Sequence, residues 1–99
     1  MNDAAFEWDD TKAAANVVDH GISFESARAV FLDPFALDSL DERTDYGEDR
    51  YTIIGMVAGR LVFVAYTLRG SRIRLISARG AEPVERRLYH EDDAFGPGN

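Results

Sequence analysis

The chain has no cysteine among its 99 residues, three prolines and, at Lys12, a single lysine. Without cysteine there are no disulfides, no thiolate metal sites and no cysteine nucleophile, and the composition fits a cytoplasmic protein. No apolar run approaches the ~20 residues that a membrane helix needs, so no membrane partner is expected. The opening MNDAAFEWDD is acidic and lacks an apolar stretch, so it is not expected to act as a signal peptide. Glycine-rich phosphate loops, a Ser/His/Asp arrangement and paired catalytic carboxylates are also missing. His90, beside Glu91, Asp92 and Asp93, has no ligand spacing around it. Neither a metal nor a cofactor is expected.

What is present is a globular composition. Hydrophobic residues make up 45% and charged residues 29%, enough for one domain with one modest core. Residues 1–91 read as that domain, and residues 92–99, DDAFGPGN, as an acidic and then Gly/Pro-rich tail. The formal net charge is -7, which argues against the whole molecule being a nucleic-acid binder. The charge is unevenly spread. Residues 1–50 carry 13 acids against 4 bases, and residues 51–99 carry 5 acids against 7 bases. Between Tyr51 and Ala81 there are five arginines and no acid. The near-exclusive use of arginine suits bidentate contacts to phosphate or carboxylate, although a GC-rich genome would produce the same bias.

The pattern along the chain is α+β. Alternation in Ala5–Trp8 predicts a short strand. Asp9 is placed to cap a helix that runs to His20 and ends at Gly21, with Ala13, Ala14, Val17 and Val18 as its apolar face. Ser23 caps a second helix carrying Phe24, Ala27, Val30 and Phe31, and Asp33-Pro34 ends it. Four strands then follow in ALDSL, RYTIIGMV, RLVFVAYTL and RIRLISA. The turns at Ala58-Gly59 and Arg69-Gly70-Ser71 are short enough to force antiparallel neighbours. DERTDYGED reads as a loop, and Pro83 starts a short C-terminal helix. The expected architecture is two N-terminal helices packed on one face of a four-stranded antiparallel sheet, with a short N-terminal strand added and the other face at least partly open.

The open face is where chemistry is expected. Within RIRLISARG, Ile73 and Leu75 point to the covered face, Arg72 and Arg74 to the opposite one, and Arg79 lies just past the strand at the rim. Arg69 at the turn and Arg50 at the start of an earlier strand can join them. Tyr66 could stack on a base if exposed. The bland alternative is an arginine face paired with the acidic loop DERTDYGED, since surface ion pairs are common and weak. Lys12, Asn16 and His20 form one polar stripe on the first helix. His20 can act as an acid or base or simply stabilise the helix C-terminus.

Phe6-Glu7-Trp8-Asp9, Lys12, Asn16, His20-Gly21, Phe24, Ala27, Val30-Phe31 and Asp33-Pro34 resemble the opening signature of BrnT-type toxins. Glu48, Arg50, Gly55, Tyr66-Thr67, Arg69, Arg74, Ser77-Ala78-Arg79, Glu85-Arg86 and Tyr89 resemble its second half. The resemblance spans residues 6 to 89. It implies a RelE-like fold and a metal-independent endoribonuclease toxin of a bacterial type II toxin–antitoxin module, leaving a 2′,3′-cyclic phosphate. It implies an RNA substrate and a BrnA-type antitoxin with a ribbon-helix-helix segment. That partner forms a hetero-oligomer with the toxin and supplies all contact with operator DNA. Carried onto this chain, Lys12, His20, Arg74, Arg79 and Tyr89 are the catalytic candidates. Arg50, Tyr66, Arg69, Arg72 and Arg74 are the RNA-binding candidates. The acidic total, and Asp19 where relatives tend to be basic, leave a second reading: a non-catalytic toxin that serves as an antitoxin-binding co-repressor.

Overall fold

The computed structural model describes residues 5–42 and 47–94. The elements run β1 (Phe6–Glu7), α1 (Asp10–His20), α2 (Phe24–Ala27) passing into a 3-10 turn (Arg28–Leu32), β2 (Leu37–Asp41), β3 (Arg50–Val57), β4 (Arg60–Arg69), β5 (Arg72–Gly80) and α3 (Pro83–Ala94). Arg43–Tyr46, within the expected acidic loop, lie outside the described residues, as does the tail from residue 95 onward.

The helix boundaries follow from caps. Asp9 has extended backbone and accepts the Lys12 N–H at 3.0 Å. That bond is the main reason the Asp9 carboxyl sits below its usual pKa. At the other end Gly21 takes the left-handed conformation, φ 69, and its N–H donates to the Val17 carbonyl. Ser23 accepts the Ser26 N–H at 3.1 Å and starts α2. The expected apolar face of α1 is corrected. Val18 is 84% and Val17 48% exposed, while Asn16 is buried at 6%. The helix rests on Ala13 and on a polar clamp. The Asn16 carboxamide donates to the Ala78 carbonyl at 2.7 Å and the Ile22 carbonyl at 2.9 Å, and accepts the Ala78 N–H at 3.0 Å. It bonds both backbone groups of Ala78 as a neighbouring strand would, and so seals the edge of β5 beyond the end of β1.

The sheet has five strands in the order β1-β5-β4-β3-β2. β2 to β5 are antiparallel, as expected, but β1 joins β5 in parallel, pairing Phe6 with Ile73 and Glu7 with Arg74. The sheet is therefore mixed. Tight turns fix the direction of β3, β4 and β5, whereas no turn links β1 to its neighbour. In the β3–β4 turn, Ala58 and Gly59 both have positive φ, 50 and 81, the conformation a two-residue hairpin of matching twist requires.

One irregularity re-aims β5. Ala65 pairs with Ser77 but Tyr66 pairs with Leu75, so Ile76 is an extra residue. Leu75 and Ala78 can then both face the helices, where they join Trp8, Phe24, Ala27, Val30, Ile53, Val62, Val64 and Tyr66 in the main core. Arg72, Arg74, Ser77 and Arg79 are left on the second face. That face is less open than expected. α3 packs over one end of it, where Tyr89 meets Ile54 and Leu61, with Phe63 and Leu37 alongside. Asp33 ties the layers together by accepting the Phe35 N–H at 2.9 Å, the Met56 N–H at 2.8 Å and the Tyr89 hydroxyl at 2.7 Å. No helix among the described residues is long and apolar enough to cross a membrane.

Candidate nucleic-acid interface

The register lines up side chains across the second face. Asp41, Arg50, Thr67, Arg74 and Glu7 are successive partners from β2 through to β1. The inner members of this row include two arginines, and its two ends are acids. Arg69 and Arg72 pair with each other beside it, across the β4–β5 hairpin. A second row, Leu37, Ile54, Phe63 and Arg79, lies toward α3. The sheet thus brings Arg50, Arg69, Arg72, Arg74 and Arg79 onto one face. Arg79 is inside the strand rather than past its end, because β5 runs on to Gly80.

Carboxylates hold Arg69, Arg72, Arg74 and Arg79. Arg74 donates to Glu7 at 2.6 Å, and Arg72 stands 3.9 Å from the same carboxylate. Arg69 pairs with Glu48 at 3.2 Å. Arg79 is the most constrained. Its carbon lies 4.2 Å from the centre of the Phe63 ring, and its two terminal nitrogens donate to the two oxygens of Glu85, each at 2.8 Å. Such a fork-to-fork pair fixes both position and plane. Glu82 adds a third oxygen at 3.3 Å. Glu85 also accepts the Glu82 N–H at 2.8 Å, closing the first turn of α3. Glu48, and Asp41 opposite Arg50 in the row, come from the loop that the sequence offered as a partner, whereas Glu7, Glu82 and Glu85 come from outside it. A groove of about 780 Å³ runs between β2 and α3 over Thr52, Ile54 and Phe63, with Arg79 in its lining.

The remaining candidates are placed elsewhere. Tyr66 is corrected as a base-stacking residue. It is buried on the helix-covered face between Phe31 and Tyr51, and its hydroxyl donates to Asp38 at 2.6 Å. Burial first, and then Asp38, raise its pKa far above the usual tyrosine value. Tyr89 is on the inner side of α3, buried and with its hydroxyl donating to Asp33, so it packs the helix against the sheet. Lys12 and His20 are both exposed on α1 but are not brought together. Lys12 is near the end where Asp9 feels the charge of Arg74. His20 is in the last turn, roughly 12 Å further along the helix axis. Glu7, Asn16, Asp33 and Glu85 were not singled out for these roles. Two had a signal: alternation from Phe6 puts Glu7 on the arginine face, and Glu82-Pro83-Val84-Glu85 has the spacing at which a glutamate closes a helix start.

Fold and face together define a small α+β domain built around an arginine-lined sheet surface, four of whose arginines pair with the chain's own carboxylates. The chain belongs to the BrnT family: a family model described as "Ribonuclease toxin, BrnT, of type II toxin-antitoxin system" matches residues 8–85. It is accordingly a ribonuclease toxin of a type II toxin–antitoxin system, with an antitoxin as its partner. None of the curated proteins compared matches it.

Proposed function

We propose that the chain is a metal-independent endoribonuclease that binds RNA phosphates on the second sheet face. The observation that carries this reading is the register placing Arg50, Arg69, Arg72, Arg74 and Arg79 on that face. A carboxylate on a guanidinium occupies the geometry a phosphate would take, so each ion pair described above marks a site where RNA can exchange for protein acid. The ribose 2′-hydroxyl attacks the adjacent phosphorus, its proton passes to a base, and the 5′-oxygen leaves with a proton from an acid. The products are a 2′,3′-cyclic phosphate and a 5′-hydroxyl. Arg74 and Arg79 stabilise the charge of the phosphorane, and Arg50, Arg69 and Arg72 hold the flanking backbone. Lys12, on the Arg74 side of α1, and His20 are the groups for proton transfer. A BrnA-type ribbon-helix-helix antitoxin neutralises the toxin as a hetero-oligomer in the cytoplasm, and the pair represses its own promoter through the antitoxin's DNA contacts.

A second reading is a non-catalytic co-repressor module. It is favoured by one observation: both terminal nitrogens of Arg79 are already bound by Glu85. Incubating purified protein with RNA in EDTA at low salt separates the two. Cleavage that slows at least tenfold in Arg74→Ala and in Arg79→Ala supports the nuclease. Intact RNA alongside tight antitoxin binding supports the co-repressor.

A further inference from the structure

The groove between β2 and α3 has the wrong charge for RNA. Its described lining contains Asp41, Glu42, Glu82 and Glu85 against one base, Arg79, which Glu85 and Glu82 already hold. A polyanion is repelled there, and a cationic ligand is attracted. The groove is also apolar. Ile54 and Phe63 form its floor, and Val84 and Leu88, one helical turn apart on α3, are 55% and 49% exposed. A short helix showing two such side chains beside an open groove presents a contact stripe rather than scattered surface residues. On the opposite side stands β2, the edge strand, whose outer backbone has no strand beside it among the described residues. An apolar floor, an acidic rim and an edge strand together specify an amphipathic segment bearing lysine or arginine.

We propose that this groove takes a basic, amphipathic segment of the antitoxin, with its apolar side chains over Ile54, Phe63, Val84 and Leu88 and its cations on Glu42 and Glu82. The inference rests on the antitoxin partnership of the family and not on the nuclease reading. It divides the second face into two electrostatic halves, with arginines toward β1 and the β4–β5 hairpin for RNA and acids toward β2 and α3 for the antitoxin. Arg79 lies at their boundary, so an occupied groove also covers that end of the arginine face.

The test is equilibrium binding of the antitoxin, purified from the co-expressed complex, to the full chain and its variants. A labelled peptide alternating leucine and lysine, and a leucine/glutamate counterpart, serve as probes of charge. In the groove variants Glu42→Lys/Glu82→Lys and Val84→Ser/Leu88→Ser, antitoxin affinity is expected to fall at least tenfold. The control Asp19→Lys/Glu25→Lys, with the same change in net charge on exposed positions outside the groove, is expected to stay within about twofold, since distant exposed charges are screened at ordinary salt. Of the two peptides, only the lysine peptide should bind, and the antitoxin should displace it. The proposal is overturned if Arg72→Glu weakens the antitoxin while the groove variants do not, which would place an acidic segment on the arginines. Equal loss in the control, preference for the glutamate peptide, or self-association of the chain abolished by Val84→Ser/Leu88→Ser overturns it as well. RNA cleavage by the same proteins is scored separately. Absence of cleavage with groove-dependent antitoxin binding rejects the nuclease and keeps the groove, and the reverse pattern does the opposite.

Discussion

Replacing Asn16 with alanine removes the clamp between α1 and β5 and leaves its backbone partners in place. Ala78 is fully buried and Ile22 nearly so, and three hydrogen bonds of 2.7 to 3.0 Å are lost at once. At about 1 kcal/mol of net stabilisation per bond the loss is ~3 kcal/mol, rising toward ~5 kcal/mol where water does not reach the orphaned groups. A domain of this size is typically stable by only ~5–15 kcal/mol, so the change removes a large share of the total. At about 4–8 °C per kcal/mol, the melting temperature should fall by ~12 °C or more. Urea unfolding followed by far-UV circular dichroism reads this directly as a lower midpoint with an unchanged slope. Asn16→Asp is the sharper variant. It keeps an acceptor for the Ala78 N–H but turns the donors toward Ala78 and Ile22 into repelling oxygen, and should be at least as unstable as the alanine. A loss below about 1 kcal/mol in Asn16→Ala would refute the clamp, since even one stranded buried partner costs that much.

Three further outcomes follow from the layer contacts. A Cβ at Gly55 would lie 2.8 Å from Val30 Cγ2 and 3.1 Å from Ala36 Cβ, with Val30 fully buried, so Gly55→Ala should cost about 1–3 kcal/mol in a thermal melt. Tyr89→Phe removes the 2.7 Å bond to Asp33 and should cost about 1–2 kcal/mol while RNA cleavage per folded molecule stays unchanged. Burial raises the Asp33 pKa, but the bonds from Phe35, Met56 and Tyr89 outweigh it and the net shift is downward. Its stabilisation is therefore complete above the unfolded value near ~3.9 and is lost as pH falls through the lower folded value. Urea midpoints across the acid range should fall less steeply in Asp33→Asn than in the native chain.

Local signals and tight turns carried most of the fold into the sequence. Asp9, Gly21 and Ser23 mark their helix ends because caps act within one turn of chain, and the hairpins at Ala58-Gly59 and Gly70-Ser71 fix β3, β4 and β5 as antiparallel neighbours. The split of Ile73 and Leu75 from Arg72 and Arg74 was legible because β5 keeps simple alternation up to Leu75. Beyond it the extra residue Ile76 shifts the pattern, which is why Arg79 seemed to lie past the strand. The apolar face of α1 was misplaced because hydrophobic spacing cannot show that a polar residue, Asn16, is the buried one. The partners of the arginines were least visible. Glu7 reaches Arg74 from 67 residues away, and no periodicity reports such a distance. Tyr66 alternates like an inward residue, and its burial depended on Phe31 arriving above it.

The parallel seating of β1 has a consequence for the order in which the molecule comes into being. A chain emerging from the ribosome presents Phe6–Glu7, α1 and the Asn16 carboxamide first, and all of them must wait for β5, which is made last among the strands. The hairpins among β3, β4 and β5 join near neighbours and can close early, but the edge of β5 is completed by β1, which is made before any of them. The arginine surface is therefore not assembled until residues 72–80 are synthesised and Phe6–Glu7 have folded back onto them. Until β5 is made, the nascent chain carries β1 and α1 without the strand that seats them.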